Sequence, residues 1–188
     1  MHRGRMLAAL AAVLVLGGCG SGNTTEPVGP QSSSTTGSTN ETSADGADLP
    51  DADPAFAEHF TDPVYDDPAG EFAPFGTDEG FDLVWEWSDR RDELGPTTTV
   101  ADLVDGSGLA DVASQLDVPE RAGIPAAGGQ VDAATITIGA GFSLLRLTGH
   151  IDDDGRRRTL QALDVLIDRY DAPVELVHQR ADLESWPT

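Results

Sequence analysis

Between Ala134 and Ile138 the chain alternates. Ala134, Ile136 and Ile138 fall on one side, and Thr135 and Thr137 on the other. That period of two predicts a half-buried strand. Gly139-Ala140-Gly141 reads as a turn. Phe142 to Ile151 reads as the returning strand, with either Leu145 and Leu147 or Phe142 and Leu144 facing inward. Around this hairpin the apolar period is 3.6.

Upstream, Thr77 offers an N-cap and Asp78-Glu79 two acids for the positive end of a helix. Phe81, Val84, Trp85, Ser88 and the stem of Arg91 then follow helical spacing, widened by Leu83, Trp87 and Leu94, up to Gly95-Pro96. Thr97 to Thr99 cap a short helix that runs to Val104 and breaks at Asp105-Gly106-Ser107-Gly108. A third helix spans Leu109 to Leu116, with Leu109, Val112, Ala113 and Leu116 on one face; a Gly/Pro-rich loop runs from Pro119 to Gln130.

Downstream, Asp152-Asp153-Asp154-Gly155 is a turn that becomes a helix cap. Arg156 to Tyr170 returns to helical spacing, with Leu160, Leu163, Leu166, Ile167 and Tyr170 on its expected buried face. Val174 to Leu183 is a final helix or a short strand; the helix is favoured because Val174, Val177 and Ala181 share a face. The expected fold over 77–188 is therefore a small α+β domain, one antiparallel hairpin packed on four or five helices.

Residues 51–76 form an acidic arm. Its prolines 54, 63, 68 and 74 rule out a long helix. Phe56, Phe60, Tyr65, Phe72 and Phe75 recur through it and predict docking, most securely near Phe72 and Phe75. Residues 19–50 are rich in Ser, Thr and Gly and nearly devoid of apolar side chains, the composition of a disordered tether.

The first residues have another pattern. Arg3 and Arg5 precede a run from Met6 to Leu16 without a polar side chain, followed by Gly17, Gly18 and Cys19. Charged, apolar, small is the order of a secretory signal, and the run falls well below the roughly 20 residues that span a bilayer. Leu16-Gly17-Gly18-Cys19 resembles the lipobox of bacterial lipoproteins. The resemblance implies that residues 1–18 are removed and that the Cys19 thiol, the only one in the chain, carries a diacylglyceryl group. It implies an extracytoplasmic location, with the lipid bilayer as a partner.

Composition sharpens this picture. The chain has 11 Lys+Arg against 33 Asp+Glu, a net charge of −22, and all its basic residues are arginine. That composition suits a GC-rich bacterial genome. It excludes nucleic acid as a partner, because phosphate binding needs an excess of cations.

Candidate chemistry is sparse. In an extended chain His150, Asp152 and Asp154 would share a side and could hold a metal. The EF-hand register fails at both ends, where His150 and Gln161 stand, and the alternative is a helix N-cap. Arg156-Arg157-Arg158 is a basic cluster suited to a phosphate or sugar acid, or to local ion pairs. Trp85 and Trp87 lie two apart, so a helix points them about 200° from each other. One is left near the surface for a sugar or protein partner, unless the helix is covered on both sides. Glu175-Leu176-Val177-His178 is a single Glu-x-x-His, where di-metal bundles need two. No nucleophile elbow, His-Glu-x-x-His or P-loop occurs, and no catalytic residue or cofactor is assigned.

These features predict a non-catalytic binding or interaction module at the cell surface, with an envelope protein or glycan as partner. The alternatives are a metal-binding or metal-dependent hydrolytic lipoprotein using the His150/Asp152/Asp154 region, and a purely structural envelope protein.

Overall fold

The structure is a computed structural model and describes residues 48–117 and 128–187. The expected signal, Cys19, the expected tether up to residue 47 and most of the loop expected from Pro119 to Gln130 lie outside the described residues; the last three residues of that loop begin α5. Among the described residues every regular element is helical: α1 (Pro54–His59), α2 (Asp78–Asp89), α3 (Val100–Gly106), α4 (Ala110–Ala113), α5 (Gly128–Thr148), α6 (Asp153–Arg169) and α7 (Val174–Ser185), with short 3₁₀ turns between some of them. The α+β expectation is thus overturned. The described fold is all-α, and the hairpin expected over 134–151 is mostly the helix α5.

The 21 residues of α5 form the central element, about 30 Å long at 1.5 Å per residue. It is packed against α2 and α6, with α3, α4 and α1 completing its surround. Every residue from Ile136 to Leu147 is buried. A helix covered on all sides needs no polar stripe, so its 3.6 period disappears from the sequence. The Thr-Ile alternation then looks like a strand. Two of its hydroxyls bond within the helix instead: Thr137 donates to the Ala133 carbonyl at 2.7 Å and Thr148 to that of Leu144 at 2.6 Å.

Gly139-Ala140-Gly141 is not a turn but the place where two helices approach α5. A Cβ on Gly139 would stand 2.9 Å from the Gly80 Cα of α2. One on Gly141 would collide with the Thr159 side chain of α6. α5 ends at Gly149, which has φ +68° and sends its N–H to the Leu145 carbonyl at 2.8 Å. The Arg91 guanidinium closes the same end, donating to the Leu147 carbonyl from Nε at 3.1 Å and Nη2 at 2.8 Å.

The helix starts read from the sequence stand. Thr77 caps α2, Thr99 forms a capping box with Asp102 at α3, and Asp152 caps α6. The final segment is a helix, but its buried face is Leu176, Gln179 and Leu183. Val174, at 59% exposed, and Val177, at 41%, face outward, as does Ala181.

The arm docks throughout its length. Asp53 caps α1 with Pro54 in its first turn, and Phe56, Phe60, Tyr65 and Phe75 are all buried. Phe60 stacks on Trp186 with ring centroids 5.2 Å apart and meets Phe142 of α5 at 5.5 Å. Arg146 holds this layer. It is 5% exposed, and it donates to the carbonyls of Pro50 (2.8 Å) and Tyr65 (3.1 Å) and to the Asp66 carboxylate (2.8 Å). Its guanidinium also lies over the rings of Phe56 and Phe75, at 5.7 and 5.6 Å.

Candidate functional site

The His150–Asp154 corner joins the end of α5 to the start of α6, beside the start of α3. Asp152 accepts from two helix starts at once: Oδ1 takes the Val100 N–H of α3 at 2.9 Å and Oδ2 takes the Gly155 N–H of α6 at 2.8 Å. His150 lies 3.2 Å from the Thr98 carbonyl through Nε2; a carbonyl only accepts, so that nitrogen carries the proton. Asp154 pairs with Arg157 at 2.6 Å, and that hydrogen bond holds its carboxyl below the usual carboxylate range. The three side chains therefore turn to three different structural partners. Among the described residues no group of three or more His, Cys, Asp or Glu side chains is arranged to hold a metal ion.

The arginine run is divided in the same way. Arg156 donates to the carbonyls of Leu183 and Glu184, closing the end of α7. Arg157 takes Asp154, and Arg158 reaches Asp117 at 3.2 Å. A groove of about 440 Å³ runs between α3, α4 and the start of α6, floored by Val100, Val104, Ala113 and Thr137 and edged by Asp152 and Arg158. Glu175 and His178 do not converge on a shared site; His178 faces Asp62 at 3.5 Å.

A second polar layer ties the arm to α7. The buried Tyr65 hydroxyl donates to Asp182 Oδ2 at 2.8 Å. Burial, followed by the hydrogen bond and negative charge of Asp182, pushes its pKa far above the ordinary tyrosine value. His59 Nε2 reaches the Asp182 carbonyl at 2.8 Å.

The tryptophan pair separates as a helix demands. Trp87 is 5% exposed. Its Nε1–H is shared between the Leu103 carbonyl (3.2 Å) and the Ser107 hydroxyl (3.1 Å), and the Arg90 guanidinium covers its ring at 4.0 Å. Trp85, at 36% exposed, stays on the surface. Comparison of the chain with known family models, curated proteins and solved structures finds no match. The site must therefore be read from its own residues.

Phe81 is the residue the sequence reading misplaced. Helical spacing put Phe81 and Trp85 on the inward stripe. The buried residues of α2 are instead Gly80, Leu83, Val84 and Trp87. This leaves Trp85 exposed and Phe81 half-buried beside it, with ring centroids 6.3 Å apart. Asp78, Asp82 and Asp89, all exposed, run beside them along the same helix. The recurrence of these acids at helical spacing was the available signal, since a row of carboxylates marks a solvated face. The exposed Trp85 and the half-buried Phe81 thus share the outer side of α2 with a row of exposed carboxylates.

Proposed function

We propose that this chain is a lipid-anchored module on the extracytoplasmic side of a bacterial membrane, where its helical domain serves as a binding partner and not as a catalyst. The observation that carries the reading is Leu16-Gly17-Gly18-Cys19 directly after an apolar run. The Ser-, Thr- and Gly-rich composition of the tail behind Cys19 supports it. For the binding role, the support is the exposed Trp85 with the half-buried Phe81 beside it. Large aromatic rings left in water cost burial energy, which a partner recovers on docking.

Labelled palmitate fed to cells expressing the chain should enter the wild type and be absent from Cys19→Ala, which should also leave the membrane fraction. Label retained by Cys19→Ala would remove the anchoring reading. Crosslinking in intact cells tests the binding role: it should capture an envelope component, and recovery of the chain alone would remove that role.

A further inference from the structure

We propose that the outer face of α2 is a docking site for a cationic, partly apolar protein segment, one presenting Lys or Arg beside aliphatic side chains. The inference deepens the binding-module reading and names the chemistry of the partner.

Three observations carry it. Phe81 and Trp85 sit one helical turn apart, Trp85 exposed and Phe81 half-buried beside it, their rings 6.3 Å from each other. Around the 100° turn of a helix, Asp78, Asp82 and Asp89 fall beside that ridge on one flank. The ion pairs of the described residues use none of these three carboxylates. The face thus offers apolar area with carboxylates outside any side-chain ion pair along its edge. Aliphatic side chains would cover the rings, cations would meet the aspartates, and the faces of Trp85 and Phe81 would add cation–π attraction.

A second copy of this chain does not fit. The chain has no lysine, and each described arginine is already engaged. Arg90, Arg146, Arg157, Arg158 and Arg180 pair with carboxylates. Arg91 and Arg156 close helix ends, and Arg169 lies over Tyr170. Two such faces would bring like charges together. An anionic membrane surface is excluded by the same sign argument.

The test uses the full chain and two probes: an amphipathic peptide of Lys, Leu and Ala, and poly-lysine of matched charge. The amphipathic peptide should bind and shift tryptophan emission to the blue, Trp85 being the exposed indole among the described residues. Phe81→Ala/Trp85→Ala should weaken that peptide about tenfold or more, the size of a contact hot spot, and weaken poly-lysine, which loses only the cation–π part, far less. Asp78→Asn/Asp82→Asn/Asp89→Asn should weaken both probes and flatten the salt dependence. Glu58→Gln/Asp105→Asn/Asp111→Asn, the same charge removed elsewhere, should barely affect the peptide. Trp85→Lys changes only an exposed position, so it tests the face even if the double variant unfolds, and it too should weaken peptide binding about tenfold or more.

Equal peptide binding by wild type and Trp85→Lys would overturn the proposal. So would equal losses from the two triple variants, no binding of the peptide at low salt, or Trp85-dependent binding of a neutral chitin oligosaccharide without a response to the peptide. A crosslinked partner on another face would sink this inference and leave the binding role standing. Failure of palmitate labelling would sink the anchoring and leave this inference intact.

Discussion

Arg146 Nη1 lies 2.8 Å from Asp66 Oδ1, joining the middle of the domain to its N-terminal arm. The two ends of this pair differ sharply: the arginine side chain is buried, whereas Asp66 is largely in solvent. Most of the anchoring therefore comes from the two carbonyls that Arg146 also reaches, those of Pro50 and Tyr65. Arg146→Ala should cost about 3 kcal/mol or more, because it strands two buried carbonyls and opens a cavity among aromatic rings. Asp66→Asn should cost under about 1 kcal/mol, as an exposed partner does. Urea denaturation measures both, and proteolysis of Arg146→Ala should cut first within 48–76. Equal losses from the two variants would contradict this division.

The close approach of α5 to its neighbours predicts a second contrast. Gly139→Ala forces a methyl toward the Gly80 backbone, which cannot swing aside as a side chain would. It should destabilise by about 1–3 kcal/mol, the cost of overpacking. Gly128→Ala meets nothing within 4 Å and should be neutral or slightly stabilising. Melting temperatures of the two variants compare them directly.

Asp152 joins two helix starts through its two carboxylate oxygens. Asp152→Ala should cost about 2 kcal/mol, the loss of two caps. If His150, Asp152 and Asp154 serve only these structural bonds, the wild-type melting temperature should not respond to a chelator or to added calcium or zinc. A metal-dependent rise abolished by Asp152→Ala would establish the site that the local geometry does not support.

Tyr65 gives the domain a defined alkaline limit. Its folded pKa lies above the unfolded value of about 10. The native state therefore keeps the proton where the unfolded chain releases it. Its contribution is fully present below pH 10 and declines above it, by about 1.4 kcal/mol per pH unit. The chain has no lysine to obscure this trend. Tyr65→Phe should flatten the slope above pH 10 and lose about 1 kcal/mol at neutral pH for the hydrogen bond to Asp182. Urea denaturation between pH 8 and 11 reads both effects; an unchanged slope would count against them.

Between α6 and α7 the chain passes through two non-glycine residues with positive φ, Asp171 at 61° and Ala172 at 57°. Ala172→Gly should stabilise by up to about 1 kcal/mol, because glycine has no Cβ to clash in the left-handed region. Differential scanning calorimetry would show the gain, and a loss would mean that the added freedom of the unfolded chain outweighs the relief.

How much of this was legible in the sequence depends on what each residue touches. Thr77, Thr99 and Asp152 announced their helices because a cap acts on N–H groups two or three residues away. The arm announced itself by its aromatics, but not how deeply they go. α5 was misread for a definite reason. Its neighbours cover all sides, so no residue between Ile136 and Leu147 had to be polar to meet water. Arg146 was likewise opaque: a lone arginine in an apolar run gives no sign of carbonyls 81 and 96 residues away. At the candidate site, the spacing of Trp85 and Trp87 showed that one of them would stay near the surface, but which one, and the placing of Phe81, depended on which side of α2 met α5.

By itself the sequence determined the features set by neighbours in the chain: the signal-like start ending at Cys19, the polar segment after it, the acidity, the helix caps and the amphipathic α6. Only the tertiary structure decided what 134–151 becomes, where Gly139 and Gly141 are used, and which face of α2 and of α7 looks outward. Periodicity reports a boundary between core and water. Where a helix has core on every side, or two apolar faces compete for one core, that boundary is drawn by packing partners distant in the chain.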